Sequence, residues 1–338
     1  MKAAYNLRRL LIGRMTGSDR MTTGYVIVMF GLGLALLIWG SNLLVESAVA
    51  LAGHFQISEV VIGATIVSLG TTLPETLFSA AASWKGLSDM ALGNALGSIL
   101  CNTGLIAGLM LLLRPIFLGE RVIENLISGV FFLTAGYLVY VAGGLKFGGL
   151  TRGCGILLVG ICLLFIGYTL WDAAGQKPEG KNRAAVPGSG FVAGDVIRLV
   201  LEAAAIYEGA DLLVKYGPGL ARIMGAPEIL ISLTFVALGT SLPELVTSLA
   251  AWKKAHSALS LGNIIGADIL NFVLVGGISA LIHPINFPDS ILRLELPFIF
   301  LFLSILCIPS LKRRKAGRMQ GLLLLAGYGI YLFLLNRF

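Results

Sequence analysis

Charged residues are scarce in this chain of 338 residues, where Asp, Glu, Lys and Arg together make up 13%. An average soluble domain carries about 25%. Because 57% of the residues are hydrophobic and the mean hydropathy is +0.88, the composition excludes a soluble globular protein. Cysteine is also rare, and all four cysteines fall inside apolar stretches rather than in loops, which argues against a disulfide framework.

Long apolar segments fill most of the chain. Many approach the roughly 20 residues that a helix needs to cross a hydrocarbon core about 30 Å thick. We therefore predict an all-α, polytopic protein with ten transmembrane helices, located as a multi-pass protein in the cell (inner) membrane. The predicted spans are residues 23–50, 58–84, 89–113, 122–142, 153–172, 191–216, 227–252, 257–282, 291–310 and 319–336.

The net charge of +7 comes from Lys and Arg in the short gaps between apolar segments, where such residues orient the spans. We therefore expect the lipid bilayer, not a nucleic acid, to be the partner, and no obligate protein partner is evident. A hydrophilic connector, residues 173–190, separates five spans from five. Lys and Arg are evenly divided between the two sides of the membrane when residues 1–20 are counted. Without those residues, the excess on the connector side predicts both termini outside and this connector in the cytoplasm. Residues 1–20 are interpreted as an N-terminal extension before Met21 rather than a cleaved signal peptide.

The second half of the chain repeats the first at a constant offset of 169 residues. This repeat offset places Gly70 to Glu75 (GTTLPE) on Gly239 to Glu244 (GTSLPE), and 28 of the 69 pairs between residues 40–108 and 209–277 are identical. We predict two five-helix repeats, residues 21–172 and 191–338. Since five is odd, the second copy must enter the membrane from the opposite side, as in secondary transporters with a midplane site.

One glutamate stands within a predicted span of each repeat, Glu75 in the first and Glu244 in the second. A carboxylate at membrane depth costs a few kcal/mol, so it normally faces a cavity, a partner or a pathway. Pro74 and Pro243 precede the glutamates, and each proline leaves the carbonyl four residues earlier without its helical partner. Free carbonyls beside a carboxylate are suitable ligands for a hard cation.

Polar side chains accompany each glutamate at helical spacing. Ser68, Thr71 and Thr72 share the face of Glu75, and Ser98 and Asn102 form a second stripe in the third span. Alone, such a stripe is typical of helix packing. Beside two glutamates it predicts an all-oxygen site, without His or Cys ligands, that suits Ca²⁺, Na⁺ or K⁺ better than zinc or copper.

The segments GATIVSLGTTLPETLFSAAASWKG, LGNALGSILCNTG, LTFVALGTSLPELVTSLAAWKK and LGNIIGADILNFV resemble the α1 and α2 repeats of the cation/Ca²⁺ exchanger superfamily, and the ten-span plan resembles its compact prokaryotic Na⁺/Ca²⁺ exchanger-like members. The resemblance implies that Glu75 and Glu244 are paired Ca²⁺ ligands. It implies hydroxyl or backbone oxygens from Thr71, Thr72, Thr240 and Ser241. It also implies that Ser98, Asn102 and Asn271 complete the Na⁺ and central positions, with carbonyls from Ser68 and Ala237.

The chain departs from the family pattern in the eighth span. Family members usually read G-S-N where this chain has Gly266, Ala267 and Asp268, so one expected hydroxyl is missing and a carboxylate is added. Asp268 lies about 100° around the helix from Ala267, which predicts a place at the cavity edge. The alternative is a capped or solvent-reached aspartate without an ion. Asn271 stands where potassium-dependent relatives have aspartate, which disfavours K⁺ co-transport.

We therefore expect an antiporter that exchanges Na⁺ for Ca²⁺ by alternating access, with these ions as substrates and no cofactor. H⁺/Ca²⁺ exchange is the first alternative, because two nearby carboxylates also carry protons when unliganded. A cation channel is a further alternative, although a pore does not require inverted duplication. The chain is not expected to be an enzyme, because no Ser/His/Asp or metal-histidine set stands at membrane depth.

Overall fold

A computed structural model describes residues 17–55, 57–175, 193–223 and 241–335 of the protein, and these residues are almost all helical. Four helical segments have the wider π geometry: Gly63–Val67, Cys101–Ala107, Asn271–Val275 and Ile291–Glu295. We count a helix and its π segment as one element. The helices are α1 (Gly17–Phe55), α2 (Glu59–Trp84), α3 (88–113), α4 (Glu120–Phe147), α5 (Arg152–Gly175), α6 (Ala193–Ile223), α7 (Leu242–Lys253), α8 (Ser257–Ile282), α9 (Ile291–Arg313) and α10 (Arg318–Leu335).

Eight of these helices are long and apolar enough to cross a membrane, all except α6 and α7. Helix α6 has 31 residues but carries charges along its length, and only 12 residues of α7 are described. An all-α membrane protein is confirmed, whereas the count of ten spans stays a prediction. Helix α1 begins at Gly17, inside the predicted extension, and α5 continues to Gly175, inside the predicted connector.

Two short antiparallel ribbons join the halves of the chain. Strand β1 (Ile116–Phe117) pairs with β4 (Lys315–Ala316), and β2 (Gly149–Leu150) pairs with β3 (Ile285–Asn286). The repeat offset carries β1 onto β3, so the two ribbons occupy equivalent places. Each ribbon therefore connects a loop of the first half to a loop of the second.

Helices α1 and α6, which the repeat makes equivalent, pack antiparallel. The Tyr25 hydroxyl lies 3.2 Å from the Tyr216 hydroxyl, and Ser47 Oγ donates to Glu202 Oε1 over 2.8 Å. Residues later in α1 therefore contact residues earlier in α6, which means that the two helices run in opposite directions. Arg198 Nε, one helical turn before Glu202, also donates to Glu202 Oε1 over 2.8 Å. Equivalent helices that run in opposite directions have the geometry of an inverted repeat.

Helices α2 and α8 approach each other almost backbone to backbone. A Cβ added to Gly262 would collide with the Val60 carbonyl, and a Cβ on Gly266 would collide with the Ala64 carbonyl. Only glycine permits this approach, because any side chain would separate the two helices. Val60 and Ala64, which make this contact, precede Thr71 and Thr72 on α2. The contact therefore brings the polar face of α2 against α8.

Candidate cation site

The two glutamates lie together at the contact between the repeats. Glu75 follows Pro74 inside α2, Glu244 follows Pro243 in the first turn of α7, and both side chains are fully buried. Their carboxyl groups neighbour each other. Glu75 Oε1 and Oε2 and Glu244 Oε2 have no hydrogen-bond partner among the described residues. None of the ion pairs found in the described parts of the chain includes either carboxyl group.

A buried carboxyl pair without basic neighbours concentrates negative charge. Two unit charges 4 Å apart repel by about 4 kcal/mol at an effective dielectric constant of 20. A divalent cation, or two monovalent cations, would balance a charge of −2 and provide the missing partners of the three free oxygens. The arrangement can therefore bind a hard cation through oxygen atoms.

Hydroxyl groups of α2 line the same contact. Thr72 Oγ1 donates to Glu244 Oε1 over 3.4 Å. Thr71 Oγ1 lies 3.3 Å from the Ser68 carbonyl and 3.5 Å from Asn263 Oδ1 of α8. Ser68 Oγ donates to the Thr65 carbonyl of its own helix over 3.1 Å, so the Ser68 hydroxyl is engaged away from the carboxyl pair. The side chains of Ser68, Thr71 and Thr72 are fully buried.

Two asparagines brace the helices that carry the glutamates. Asn94 Nδ2 donates to Ser79 Oγ over 2.9 Å and to the Glu75 carbonyl over 3.3 Å. At the equivalent place in the second half, Asn263 Nδ2 donates to Ser248 Oγ over 3.3 Å. These two asparagines are outside the predicted ligand set. The repeat could have indicated their role, because the repeat offset maps Asn94 and Ser79 onto Asn263 and Ser248.

The remaining predicted residues divide into three groups. Ser98 and Asn102 of α3 and Ser241 at the start of α7 are buried, and their side-chain polar atoms have no partner among the described residues. Asn271 Nδ2 donates to the Ala267 carbonyl over 3.0 Å, which leaves its buried Oδ1 without a partner. Thr240 and Ala237 lie outside the described residues.

Asp268 is not the solvent-reached aspartate of the alternative interpretation, and its place at a cavity edge stays a prediction. Its side chain is fully buried, and Oδ2 accepts a hydrogen bond from Thr103 Oγ1 of α3 over 2.5 Å. Oδ1 has no hydrogen-bond partner among the described residues. The prediction treated Asp268 only by its angle on α8, and it missed Thr103, which lies far away in sequence and becomes a neighbour through packing.

The π segments Cys101–Ala107 and Asn271–Val275 occur at nearly equivalent places, and they include Asn102 and Asn271. A π turn interrupts the regular ladder of hydrogen bonds, and such turns are frequent at functional sites. No sequence pattern predicted these segments. Each half thus has irregular backbone beside a buried asparagine whose amide oxygen has no partner among the described residues.

A sequence profile of the sodium/calcium exchanger protein family matches residues 25–171 and 195–336. The chain belongs to this family. Sodium/calcium exchanger MaX1 of Methanosarcina acetivorans is 31% identical, with 93% of this chain and 99% of that protein covered. Inner membrane protein YrbG of Escherichia coli is 32% identical, with coverages of 90% and 94%.

Solved structures of the sodium-calcium exchanger NCX_Mj share the architecture. One of them, soaked with Na⁺ in the absence of Ca²⁺, is 29% identical and superposes with a TM-score of 0.77, covering 92% of this chain and 98% of that chain. This exchanger-family chain is therefore a cation/Ca²⁺ antiporter and a multi-pass membrane protein, and its family consists of transporters rather than enzymes.

Proposed function

We propose that the protein exchanges Na⁺ for Ca²⁺ across the membrane by alternating access, with Glu75 and Glu244 as the charged ligands of Ca²⁺. The observation that carries this proposal is the buried carboxyl pair, to which each repeat contributes one member and which has no basic partner in the described residues. A site built at a repeat interface is reached from either side when the bundles rock against each other.

The two ions compete for the same charge in this proposal. One Ca²⁺ or two Na⁺ balance the carboxyl pair, so both ions cannot occupy it together without a large excess of positive charge. Thr71, Thr72, Thr240 and Ser241 supply hydroxyl or backbone oxygens to the divalent ion, which takes six to eight oxygen ligands. Ser98, Asn102 and Asn271, with the carbonyls of Ser68 and Ala237, supply oxygens to the monovalent ions. The similarity to MaX1 and NCX_Mj, both sodium/calcium exchangers, supports this assignment.

Flux measurements decide between Na⁺ and H⁺ coupling. The purified protein is reconstituted into proteoliposomes, and ⁴⁵Ca²⁺ uptake is measured with an outward Na⁺ gradient, with a pH gradient, and with a matched K⁺ gradient as control. We expect uptake with the Na⁺ gradient alone, and its loss when a sodium ionophore collapses that gradient. Uptake driven by the pH gradient without Na⁺ would instead establish H⁺/Ca²⁺ exchange, and the absence of uptake under every gradient would reject antiport of Ca²⁺.

A further inference from the structure

Asp268 is a third buried carboxylate near the glutamate pair. It lies on α8, which is buried along residues 259–270, and it is close enough to Glu244 for their charges to interact. None of the ion pairs in the described residues includes Asp268. Asp268 and the glutamate pair therefore make three buried carboxyl groups at this contact, and one Ca²⁺ on the glutamates would leave Asp268 without a counter-charge.

The two repeats are not equivalent at this place. The repeat offset maps Asp268 onto Ile99, and it maps Ala267 onto Ser98. The second half thus lacks the hydroxyl that the first half has, and it carries a carboxylate where the first half has an apolar side chain. The carboxylate faces α3, because Thr103 Oγ1 donates to Asp268 Oδ2.

The stretch of α3 that meets this carboxylate carries further buried polar atoms without partners among the described residues. Asp268 Oδ1 has no hydrogen-bond partner among the described residues, and Asn102, the residue before Thr103, lies beside the same carboxyl group with its amide oxygen unpartnered. Ser98, one helical turn earlier on α3, has a buried hydroxyl that also lacks a partner there. A proton on Asp268 would neutralise one charge and donate to one oxygen at most, whereas a cation takes several oxygen ligands at once.

We propose that Asp268 is the charged ligand of an additional position for a monovalent cation, at the contact of α3 and α8, with Thr103 orienting its carboxylate. This inference rests on the proposed function, and it identifies the cation as Na⁺, the monovalent substrate of that function. A single carboxylate balances one positive charge, so the position favours Na⁺ over Ca²⁺. It adds a monovalent ion to those that the glutamate pair holds.

The test compares Asp268→Asn with wild type in two measurements. The first is the Na⁺ concentration for half-maximal ⁴⁵Ca²⁺ release from proteoliposomes, and the second is the Na⁺-dependent rise of the unfolding temperature of the purified protein, which reports binding without transport. We expect the apparent Na⁺ affinity to fall about tenfold, which corresponds to the loss of one charged ligand, while the apparent Ca²⁺ affinity changes by less than about threefold.

Matched variants keep the result interpretable. Glu295→Gln removes another largely buried carboxylate, on α9 and outside the site, and should leave both affinities unchanged. Thr103→Val retains the charge but removes the hydroxyl that orients it, and should lower the apparent Na⁺ affinity about threefold, even if Asp268→Asn fails to fold.

The outcomes separate this inference from the function on which it rests. Wild-type Na⁺ dependence in both Asp268→Asn and Thr103→Val overturns the additional position, while Na⁺-driven Ca²⁺ flux in the same vesicles leaves the exchange intact. A changed pH dependence with unchanged Na⁺ dependence in Asp268→Asn also overturns it, because the group would then hold a proton. Lack of Na⁺-driven flux in wild type rejects the proposed function itself.

Discussion

Thr72 of the first repeat donates a hydrogen bond to Glu244 of the second, with 3.4 Å between Oγ1 and Oε1. Both side chains are fully buried. The bond crosses the repeat interface and leaves one oxygen of Glu244 and both oxygens of Glu75 without partners among the described residues. A hydroxyl of the first repeat thus orients the carboxylate of the second, so the candidate site combines residues of both repeats.

Replacing Thr72 with valine removes this bond but retains both glutamates and nearly the same volume. We expect the apparent Ca²⁺ affinity to fall about three- to tenfold, because a net hydrogen bond contributes roughly 0.5–1.5 kcal/mol. The measurement is the Ca²⁺ dependence of ⁴⁵Ca²⁺ flux. Thr76→Val is the control, since the Thr76 hydroxyl donates to the Thr72 carbonyl of its own helix over 2.9 Å. An equal effect of both variants would contradict a specific role of Thr72.

Glu75→Gln and Glu244→Gln should each reduce Ca²⁺ transport at least about a hundredfold, because each variant removes half of the charge that balances a divalent ion, and a hundredfold change corresponds to roughly 3 kcal/mol. The amide has nearly the shape of the carboxylate, so both variants should insert and purify normally. Size-exclusion profiles and ⁴⁵Ca²⁺ uptake check the two expectations. Substantial flux in both single variants would remove these residues from the site.

Ala267→Ser restores the hydroxyl that the second half lacks. We expect the apparent Na⁺ affinity to rise about two- to fivefold with little change in the Ca²⁺ affinity, since one neutral ligand contributes roughly 1 kcal/mol. Na⁺ titration of Ca²⁺ release measures the effect. Ala95→Ser is the control, because it adds the same hydroxyl at another buried alanine, on α3. Unchanged Na⁺ dependence would mean that other oxygens complete this position.

Gly266→Ala should lower the stability of the protein by about 1–3 kcal/mol, because the added methyl group meets the backbone of Ala64 and the helices must separate. Thermal unfolding in detergent measures the loss. Gly167→Ala on α5 is the matched control, because an added Cβ there has no neighbour within 4 Å among the described residues. Equal stability of the two variants would contradict the close α2–α8 contact.

The orientation in the membrane is also testable by labelling. In a cysteine-free background, Lys181→Cys in the connector should react with a membrane-impermeant reagent only after the membrane is opened. Lys146→Cys, at the exposed end of α4, should react from outside in intact cells. The expectation follows from the excess of Lys and Arg on the connector side when residues 1–20 are left out. Labelling of Lys181→Cys in intact cells would reverse the orientation.

The amino-acid sequence alone determined the class of the fold and indicated the centre of the candidate site. Apolar length sets the position of membrane helices, because the bilayer leaves backbone groups no other partner. The bounds of α2, α3 and α8 accordingly agree with the predicted spans to within a residue. The duplicated Pro-Glu pairs marked Glu75 and Glu244 because a carboxylate is costly at membrane depth.

Only the tertiary structure decided which side chains meet between helices. The angle of Asp268 on α8 follows from its position in the sequence, but its burial against Thr103 does not. The periodicity of α8 gives the angle between its residues, but the rotation of the helix about its own axis depends on its neighbours. The carbonyl contacts of Gly262 and Gly266 set that rotation against α2, and they turn Asp268 toward α3. Such contacts join residues far apart in sequence, so no local pattern in the chain contains them.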